Sequence, residues 1–359
     1  MTADIARRKT RRIQVGNVPV GGGAPITVQS MTHTPTGDVT ATVAQIQRLE
    51  AAGCELVRVA VPDMEAATAI TAIKAQIRIP LIADIHFDHR LAIAAARHGA
   101  DGLRINPGNI GGRAKVQKVV DCARDLGLPI RIGVNSGSLE KDLLKTYNGA
   151  TAPAMVESAM RHVAMLEDAG FDQIKISIKA SDVPRTVAAY RLLAERTDYP
   201  LHLGITEAGS LYAGVVKSAL GIGMLLSEGI GDTLRVSLTR DCAEEVRVGF
   251  EILKALQIRQ RGPEIISCPT CGRCSIDLIG VVEQVEKALL THTAPIKLAI
   301  MGCVVNGPGE AREADIGIAG GQGLGILFKK GKVVRKVPQA QLAQVLLAEV
   351  AQWEKEHSR

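Results

Sequence analysis

Between residues 26 and 258, short β-branched runs alternate with longer amphipathic stretches, and this alternation restricts the fold more than any other feature of the 359-residue chain. Short apolar runs predict strands, and the periodic segments between them predict helices. Eight strand–helix units are the number that closes a (β/α)8 TIM barrel. The predicted strands are residues 26–28, 56–60, 81–84, 102–105, 130–134, 174–178, 201–205 and 233–236.

A weak internal repeat supports this α/β reading. Gly53, Gly99, Gly170 and Gly229 each precede a predicted strand by a few residues. A glycine in this place typically ends the preceding helix, because it adopts the left-handed conformation without strain. Ahead of the first strand, residues 15–18 (Val-Gly-Asn-Val) predict a hairpin that closes the floor of the barrel.

A second, smaller domain is expected because 359 residues exceed what one hydrophobic core usually holds. The apolar period stops at residues 259–263 (Arg-Gln-Arg-Gly-Pro), which favours a domain boundary there. We therefore expect a barrel domain over 1–260 and a small α/β domain over 261–359. The predicted elements of the small α/β domain are a helix at 276–290, a strand at 296–300, a glycine-rich hairpin region to 337 and a helix at 339–356.

Composition limits the classes of partner. A net charge of +6 favours an anionic ligand, but an aromatic content of 3% supplies few stacking surfaces, which disfavours nucleic acid relative to a small phosphorylated substrate. The basic residues 7–12 are read as a solvated arm. With no signal peptide and no apolar run long enough to span a bilayer, we expect a cytoplasmic protein without a membrane partner.

Four of the seven cysteines lie in the last quarter of the chain. Cys268 and Cys271 form a Cys-x-x-Cys turn, Cys274 extends it, and Cys303 follows in a second loop. Such spacing predicts a zinc or iron-sulfur site closed by thiolates from two loops. An odd number of cysteines in unequal clusters fits metal ligation in a reducing compartment better than a disulfide framework.

The predicted barrel strands carry cations where branched apolar side chains normally fill the interior. Buried guanidinium and ammonium groups need anionic partners, because an unpaired buried charge costs several kcal/mol. Internal acids would serve for a single arginine, but too few lie on the matching strands to neutralise the whole set. We therefore expect a site for a multiply charged phosphate, built by Arg58, Arg104, Arg131, Lys175 and Arg235, with Lys179 one step beyond its strand.

Polar side chains gather where the predicted strands end, and catalytic residues of barrels lie at these carboxyl ends. Glu207, in the run Gly204-Ile205-Thr206-Glu207, is the expected acid or base because neighbouring cations keep a carboxylate ionised. His86 has an equally simple interpretation as a core histidine. The strand-end residues counted as candidates are Asp84, His86, Asn135, Thr206, Glu207 and Ser237.

Several motifs give the chain a specific resemblance over nearly its full length. They are residues 27–32 (Thr-Val-Gln-Ser-Met-Thr), 203–209 (Leu-Gly-Ile-Thr-Glu-Ala-Gly), 227–237, the Cys268–Cys271 turn, and 302–310 (Gly-Cys-Val-Val-Asn-Gly-Pro-Gly-Glu). With them the chain resembles the bacterial 4-hydroxy-3-methylbut-2-enyl diphosphate synthases, iron-sulfur enzymes of the non-mevalonate isoprenoid pathway. The connection from 240 to 268 is too short for the extra middle domain of plant-type members.

The resemblance implies a TIM barrel followed by a [4Fe-4S] domain. It also implies reductive ring opening of 2-C-methyl-D-erythritol 2,4-cyclodiphosphate to the linear allylic diphosphate, with two electrons from ferredoxin or flavodoxin. Glu207 would act as acid or base. The implied substrate residues are Arg58, Arg104, Arg131, Asn135, Lys179, Thr206, Arg235 and Ser237.

The cluster ligands implied by the resemblance are Cys268, Cys271 and Cys303, with Glu310 as the fourth. Spacing alone predicts Cys274 as the fourth ligand, because it completes a ferredoxin-like C-x2-C-x2-C run. Glu310 is favoured because an all-cysteine site would close the iron that the reaction needs.

We also expect a homodimer in which each active site uses two chains. The short segment 258–263 follows the eighth helix at the amino-terminal side of the barrel, and at roughly 3.5 Å per residue it is too short to bring the cluster domain over its own barrel mouth. Two rival functions use the same residues. One is an RNA-binding barrel with a structural zinc site, and the other a redox-silent transferase acting on a diphosphate.

Overall fold

The computed structural model describes residues 5–303 and 311–357 and separates into two compact units, Met1–Arg259 and Gln260–Arg359. The division lies one residue before the boundary expected from the sequence. Glu310, the expected fourth cluster ligand, lies outside the described residues.

The first unit opens with an antiparallel hairpin of β1 (Ile13–Val15) and β2 (Val18–Val20). Eight parallel strands then form one sheet, ordered β8-β7-β6-β5-β4-β3-β10-β9, and a parallel bridge between Ile176 and Leu201 joins its two ends. The strands are β3 (Thr27–Met31), β4 (Leu56–Ala60), β5 (Leu81–Asp84), β6 (Gly102–Ile105), β7 (Ile130–Asn135), β8 (Ile174–Lys179), β9 (His202–Leu203) and β10 (Thr233–Leu234).

Helices follow the strands and cover the outside of the barrel. Several begin at an aspartate whose side chain accepts a backbone N–H of the first turn, as Asp63 and Asp182 do, because the first amides of a helix have no partner within it. The helices are α1 (Val39–Ala52), α2 (Met64–Lys74), α3 (His89–Arg97), α4 (Pro107–Ile110), α5 (Arg113–Asp125), α6 (Lys141–Thr146), α7 (Ala152–Asp168), α8 (Val183–Arg196), α9 (Leu211–Ser227) and α10 (Cys242–Ala255).

The TIM-barrel prediction is confirmed, although some strand limits are different. Lys179 is the last residue of β8 rather than one step beyond it, since its backbone pairs with Asn135. Strands β9 and β10 are two residues long instead of five and four. Beyond these strands the Arg235 amide donates to the Leu203 carbonyl at 3.0 Å and the Thr206 amide donates to the Ala180 carbonyl at 3.2 Å.

The hairpin closes the floor of the barrel, as the sequence predicts. Ile13, Val15 and Val20 form an apolar cluster with Leu56 and Ile82 from the first residues of the barrel strands. This cluster shields the interior at the amino-terminal ends of the strands.

The prediction of a solvated basic arm is wrong for Arg7 and Arg8, whereas Lys9, Arg11 and Arg12 are exposed. Arg8 donates to the carbonyls of Thr197 and Tyr199, and Arg7 donates to the Ala24 carbonyl at 2.5 Å and to Asp232 at 3.3 Å. Arg11 pairs with Asp198 at 2.7 Å. These side chains bind carbonyl groups that the barrel loops leave unpaired, so the positive charges have a structural use.

The second unit is a five-stranded mixed sheet in the order β11-β12-β13-β14-β15. One face packs against α11 (Leu278–Ala288) and α12 (Leu342–His357) around Leu298, Ile300 and Ile318. The strands are β11 (Glu264–Ser267), β12 (Lys297–Met301), β13 (Ile316–Ala319), β14 (Leu324–Lys329) and β15 (Lys332–Pro338). In the part of the chain that is described, no helix has both the length and the apolar character needed to cross a membrane.

Candidate active site

The barrel interior is charged rather than apolar. Val57 and Val59 face the helices as part of the apolar core, so Arg58 between them points into the barrel. The same alternation on the other strands turns more cations inward, and most of these are less than 10% exposed. The inward cations are Arg58, Arg104, Arg131, Lys175, Lys179 and Arg235.

Asp84 is the internal acid for two of these cations. Its carboxylate lies 3.3 Å from Arg58 Nε and 3.0 Å from Arg104 Nη1. Burial by itself would raise the pKa of Asp84, but Arg58, Arg104 and Arg131 outweigh it and lower the pKa to about 2. Asp84 therefore stays ionised and fixes two guanidinium groups inside the barrel.

The second internal acid, Glu245, was not found from the sequence. It lies in the first turn of α10, is 1% exposed, and accepts hydrogen bonds from Arg235 at 3.3 Å and from Ser30 Oγ at 2.9 Å. Acidic residues are common in the first turn of any helix, so the pattern around Glu245 gave no sign of this role. Its charge orients the Arg235 side chain.

Arg131, Lys175 and Lys179 take part in none of the ion pairs among the described residues. Arg131 Nε and Nη1 and Lys175 Nζ are buried without a hydrogen-bond partner. Burial, and then the neighbouring cations, lower the pKa of Arg131 and of Lys179 well below their ordinary values and that of Lys175 to about 7. This excess of buried positive charge is what a bound polyanion would neutralise.

Two inward positions are glycine because the cations occupy the space beside them. A Cβ on Gly133 would overlap the Arg104 guanidinium, and one on Gly204 would lie 2.6 Å from Lys179 Nζ and from the Arg235 carbonyl. Real Cβ atoms essentially never come this close, so these glycines allow the long side chains to pass along the interior.

The candidate residues of the mouth lie at the carboxyl ends of the strands. Asn135 ends β7, Thr206 and Ser237 lie just beyond β9 and β10, and all three are half-buried. His86 is exposed with Nε2 3.9 Å from Asp84, so the alternative reading as a core histidine is wrong.

Glu207 follows Thr206 and is exposed. Its φ of 52° lies in the left-handed region, which is uncommon for a residue other than glycine. Its side chain takes part in none of the ion pairs found in the described part of the chain. A strained, unpaired carboxylate at a barrel mouth is a candidate for proton transfer.

The second unit brings the cysteine segments together at the carboxyl ends of β11 and β12. The Gly302 amide donates to Cys268 Sγ at 3.2 Å, and the Ser275 amide donates to the Gly302 carbonyl at 3.0 Å. Hydrogen bonding from the Arg273 backbone lowers the pKa of the exposed Cys271 thiol. Thiolates are the metal-binding form of cysteine, so this environment suits a ligand.

Cys274 has a different environment. Its Sγ donates to the Ile276 carbonyl at 3.3 Å, although its side chain, like that of Cys268, packs against the apolar core of the second unit. Within residues 5–303 and 311–357, no three His, Cys, Asp or Glu side chains are grouped closely enough to hold a metal ion. The loop that would complete such a group includes residues outside those ranges.

Comparison with known proteins gives matches along almost the whole chain. The model of the GcpE TIM-barrel domain matches residues 10–250, and that of the GcpE protein C-terminal domain matches residues 264–352. The chain is 66% identical over 344 residues to a protein of Geobacter sulfurreducens, covering 96% of this chain and 98% of that one. It is 61% identical over 358 residues to one of Desulfotalea psychrophila, covering 99% and 98%.

Both relatives carry the name 4-hydroxy-3-methylbut-2-en-1-yl diphosphate synthase (flavodoxin). A protein of Bacillus cytotoxicus with the same name is 58% identical over 344 residues, covering 96% of this chain and 94% of that one. Since both domain models match and these identities extend over almost the full length, the chain belongs to the GcpE family.

Proposed function

We propose that this chain opens the ring of 2-C-methyl-D-erythritol 2,4-cyclodiphosphate by two-electron reductive dehydroxylation, giving (E)-4-hydroxy-3-methylbut-2-enyl diphosphate. The observation that carries the proposal is the barrel interior, where Asp84 and Glu245 are too few for the cations around them. A cyclic diphosphate supplies the missing negative charge in a compact ligand. The names of the full-length relatives support the same reaction.

In this proposal the cations have two roles, which depend on whether a cation already has an acid partner. Arg58, Arg104 and Arg235 are already held by Asp84 and Glu245, so they present fixed donors to the phosphate oxygens. Arg131 and Lys179 have no acid partner among the described residues, and the substrate would be their counter-ion. Asn135, Thr206 and Ser237 would complete the site at the mouth as neutral hydrogen-bonding groups.

Glu207 would hold or deliver the proton that accompanies loss of the hydroxyl group. Its exposed carboxylate lies on a loop at the mouth and is not tied to a cation in the described structure. A group that must exchange a proton during turnover needs this freedom, and positioned general acids typically contribute about 10²- to 10⁴-fold to a rate.

A [4Fe-4S] cluster would supply the electrons, and the donor set of the second unit fits such a group. Cys268, Cys271 and Cys303 lie on two adjacent loops, and the N–H donated to Cys268 Sγ is the kind of bond that tunes cluster potentials. Glu310 remains our proposed fourth ligand. Cys274 is not needed in this proposal, because its thiol donates to the Ile276 carbonyl.

We propose flavodoxin as the electron donor, because it is printed in the names of the relatives. The seven cysteines form no disulfide, which agrees with the cytoplasmic location that we propose. Ferredoxin, expected from the resemblance, is the alternative donor.

The homodimer is also part of this proposal. Arg259 donates to the Ile26 carbonyl at 2.6 Å and pairs with Glu55, residues that directly precede β3 and β4. The chain therefore leaves the barrel at its amino-terminal end, opposite the mouth. If a second copy supplied the cluster domain, the short segment after Arg259 would not have to run the height of the barrel to reach its own mouth.

Helix α9 offers a surface for that second copy. Tyr212, Val216, Leu220 and Met224 repeat every four residues along one ridge and are 40–85% exposed. The only charged residue of this helix is Lys217. Ridges of i±4 spacing pack into one another across a two-fold axis, so this helix is self-complementary.

Anaerobic purification followed by iron and sulfide analysis and a turnover assay tests the proposal. We expect brown protein with four irons per chain that converts the cyclic diphosphate in the presence of a reductant. The Arg131→Ala variant should bind substrate weakly with its iron intact, whereas Lys118→Ala, at an exposed position on α5, should bind normally. Colourless zinc protein, or turnover without reductant, would favour the RNA-binding or transferase alternatives.

A further inference from the structure

The hairpin of β14 and β15 is strongly basic. Residues 324–338 hold five cations and no acid. Glu349 of α12 pairs with two of them, Lys329 at 2.8 Å and Arg335 at 3.5 Å. Lys330, Lys332 and Lys336 belong to none of the ion pairs of the described residues, so this surface carries an excess of positive charge.

Apolar side chains are exposed among these cations. Leu324, Val333 and Val334 are each more than half exposed, and β15 is the edge strand of the sheet. Lysines on an edge strand often serve only to prevent pairing with other strands. That explanation does not account for two neighbouring exposed valines on the same strand. An apolar centre with charges around it is instead the composition of a docking surface.

The register of the sheet relates this surface to the cysteine loops. Met301 pairs with Ala319, Ala319 with Ile326, and Ile326 with Lys336. Lys336 is therefore level with Met301, two residues before Cys303. Three strand spacings separate them, about 14 Å at 4.7–4.9 Å each. A protein docked on β15 would lie beside the end of the sheet where the cysteines lie.

We propose that the outer edge of β15 docks an acidic electron-carrier protein of the flavodoxin type. This surface has Val333 and Lys336 on one face of the sheet, Lys332 on the other, Val334 at the bulge and Lys330 at the turn. This inference rests on the proposed function, since it assumes that the second unit receives electrons. Opposite charges would steer the carrier to the surface and raise its association rate by about 10- to 1,000-fold. The exposed valines would supply the small apolar contact of a transient redox complex.

The test compares two double variants with the same change of charge. Lys332→Glu/Lys336→Glu alters the proposed surface, and Lys287→Glu/Lys355→Glu alters exposed lysines of α11 and α12 in the same unit. Each holoenzyme is assayed with reduced flavodoxin at low and high salt, and with reduced methyl viologen, which needs no protein docking surface.

We expect the first double variant to raise the KM for flavodoxin by about tenfold or more at low salt and to lose most of the salt dependence of the wild type. Its iron content, oligomeric state and viologen-supported rate should stay within twofold of the wild type. The control variant should behave as the wild type in each assay.

An unchanged KM for flavodoxin, or an equal rise in the control, would overturn the docking surface. A changed oligomeric state in the first variant would assign the surface to a second copy of this chain instead. Failure of the wild type with methyl viologen would contradict the proposed function, whereas a normal viologen rate with unaltered flavodoxin kinetics would contradict only the docking surface.

Discussion

The Oδ1 atom of Asp84 lies 3.0 Å from Arg104 Nη1, and the two residues are partners on the neighbouring strands β5 and β6. The other oxygen of the same carboxylate lies 3.3 Å from Arg58 Nε. One buried acid thus holds two arginines of the barrel in fixed positions. Removing it would leave two guanidinium groups without a counter-charge inside the protein.

The Asp84→Asn variant should therefore lose about 3–5 kcal/mol of unfolding free energy, since breaking a buried ion pair leaves an uncompensated charge. Urea denaturation of the barrel measures this loss. Asp142→Asn is the matched control, because its pair with Arg161 at 2.6 Å is exposed and should contribute at most about 1 kcal/mol. Equal losses in the two variants would contradict the structural role of Asp84.

Asp84 also predicts an acid-dependent stability. Its pKa is lowered from 3.8 to about 2 in the folded protein, so its contribution is complete above pH 3.8 and is lost as the pH falls through about 2. As the pH falls from 3.8 to about 2, the free energy of unfolding should decrease more in the wild type than in the Asp84→Asn variant.

Lys175→Met should stabilise the protein near neutral pH. Burial lowers the pKa of Lys175 from 10.5 to about 7, so the cost of burying this amine is complete at and below about pH 7 and fades as the pH rises toward 10.5. Thermal unfolding at several pH values should show a gain of a few kcal/mol at pH 7 that shrinks with rising pH. Lys118→Met, at an exposed position, should show no such trend, and a pH-independent gain in Lys175→Met would contradict this reasoning.

Glu207→Gln should keep the iron content and the affinity for the cyclic diphosphate while lowering kcat by about 10²- to 10⁴-fold. The amide is similar in size to the carboxylate but cannot transfer the proton. Isothermal titration and a turnover assay separate binding from rate. Glu195→Gln, at an exposed position on α8, is the control, and near-normal turnover of Glu207→Gln would remove this residue from the mechanism.

Serine at Cys268, Cys271 or Cys303 should abolish colour, iron and turnover together, whereas Cys274→Ser should retain all three. The reason is that Cys274 Sγ donates to the Ile276 carbonyl, a hydrogen bond that a serine hydroxyl can also make. Iron per chain decides the result. Loss of the cluster in Cys274→Ser with the fold intact would overturn the assignment of Glu310 as fourth ligand.

The Val216→Glu/Leu220→Glu variant should give monomers with little activity, because it places charges on the exposed ridge of α9. Light scattering after size exclusion measures the mass, and Met64→Glu is the control at an exposed apolar position on α2.

When the α9 ridge is left unaltered, mixing inactive Glu207→Gln and Cys303→Ser chains should restore partial activity. In a mixed dimer, one of the two sites combines the unaltered barrel of one chain with the unaltered cluster domain of the other. A fully active monomer would contradict the dimer.

The eight strand–helix units could be predicted from the sequence because strand and helix periodicity is local. The same periodicity placed Arg58, Arg104 and Arg131 on strands with a shared direction, and Arg235 lies one residue beyond β10. The cysteine turn could also be identified from the sequence, because the spacing of ligands within one loop does not depend on the rest of the fold. These local patterns were enough to indicate an anion site and a metal site.

Tertiary structure alone decided how the charges are paired. Asp84 bridges the two arginines because it is the register partner of Arg104 on β6 and lies only two residues beyond the level of Arg58 on β4, within reach of that long side chain. Glu245 reaches Arg235 from a helix, and the basic amino-terminal residues bind carbonyls of the barrel loops. Pairing across a barrel depends on strand register and helix position, which a local pattern does not contain. Local patterns therefore identify the charged groups and the strands that carry them, whereas strand register and helix position decide which cations are left for a ligand.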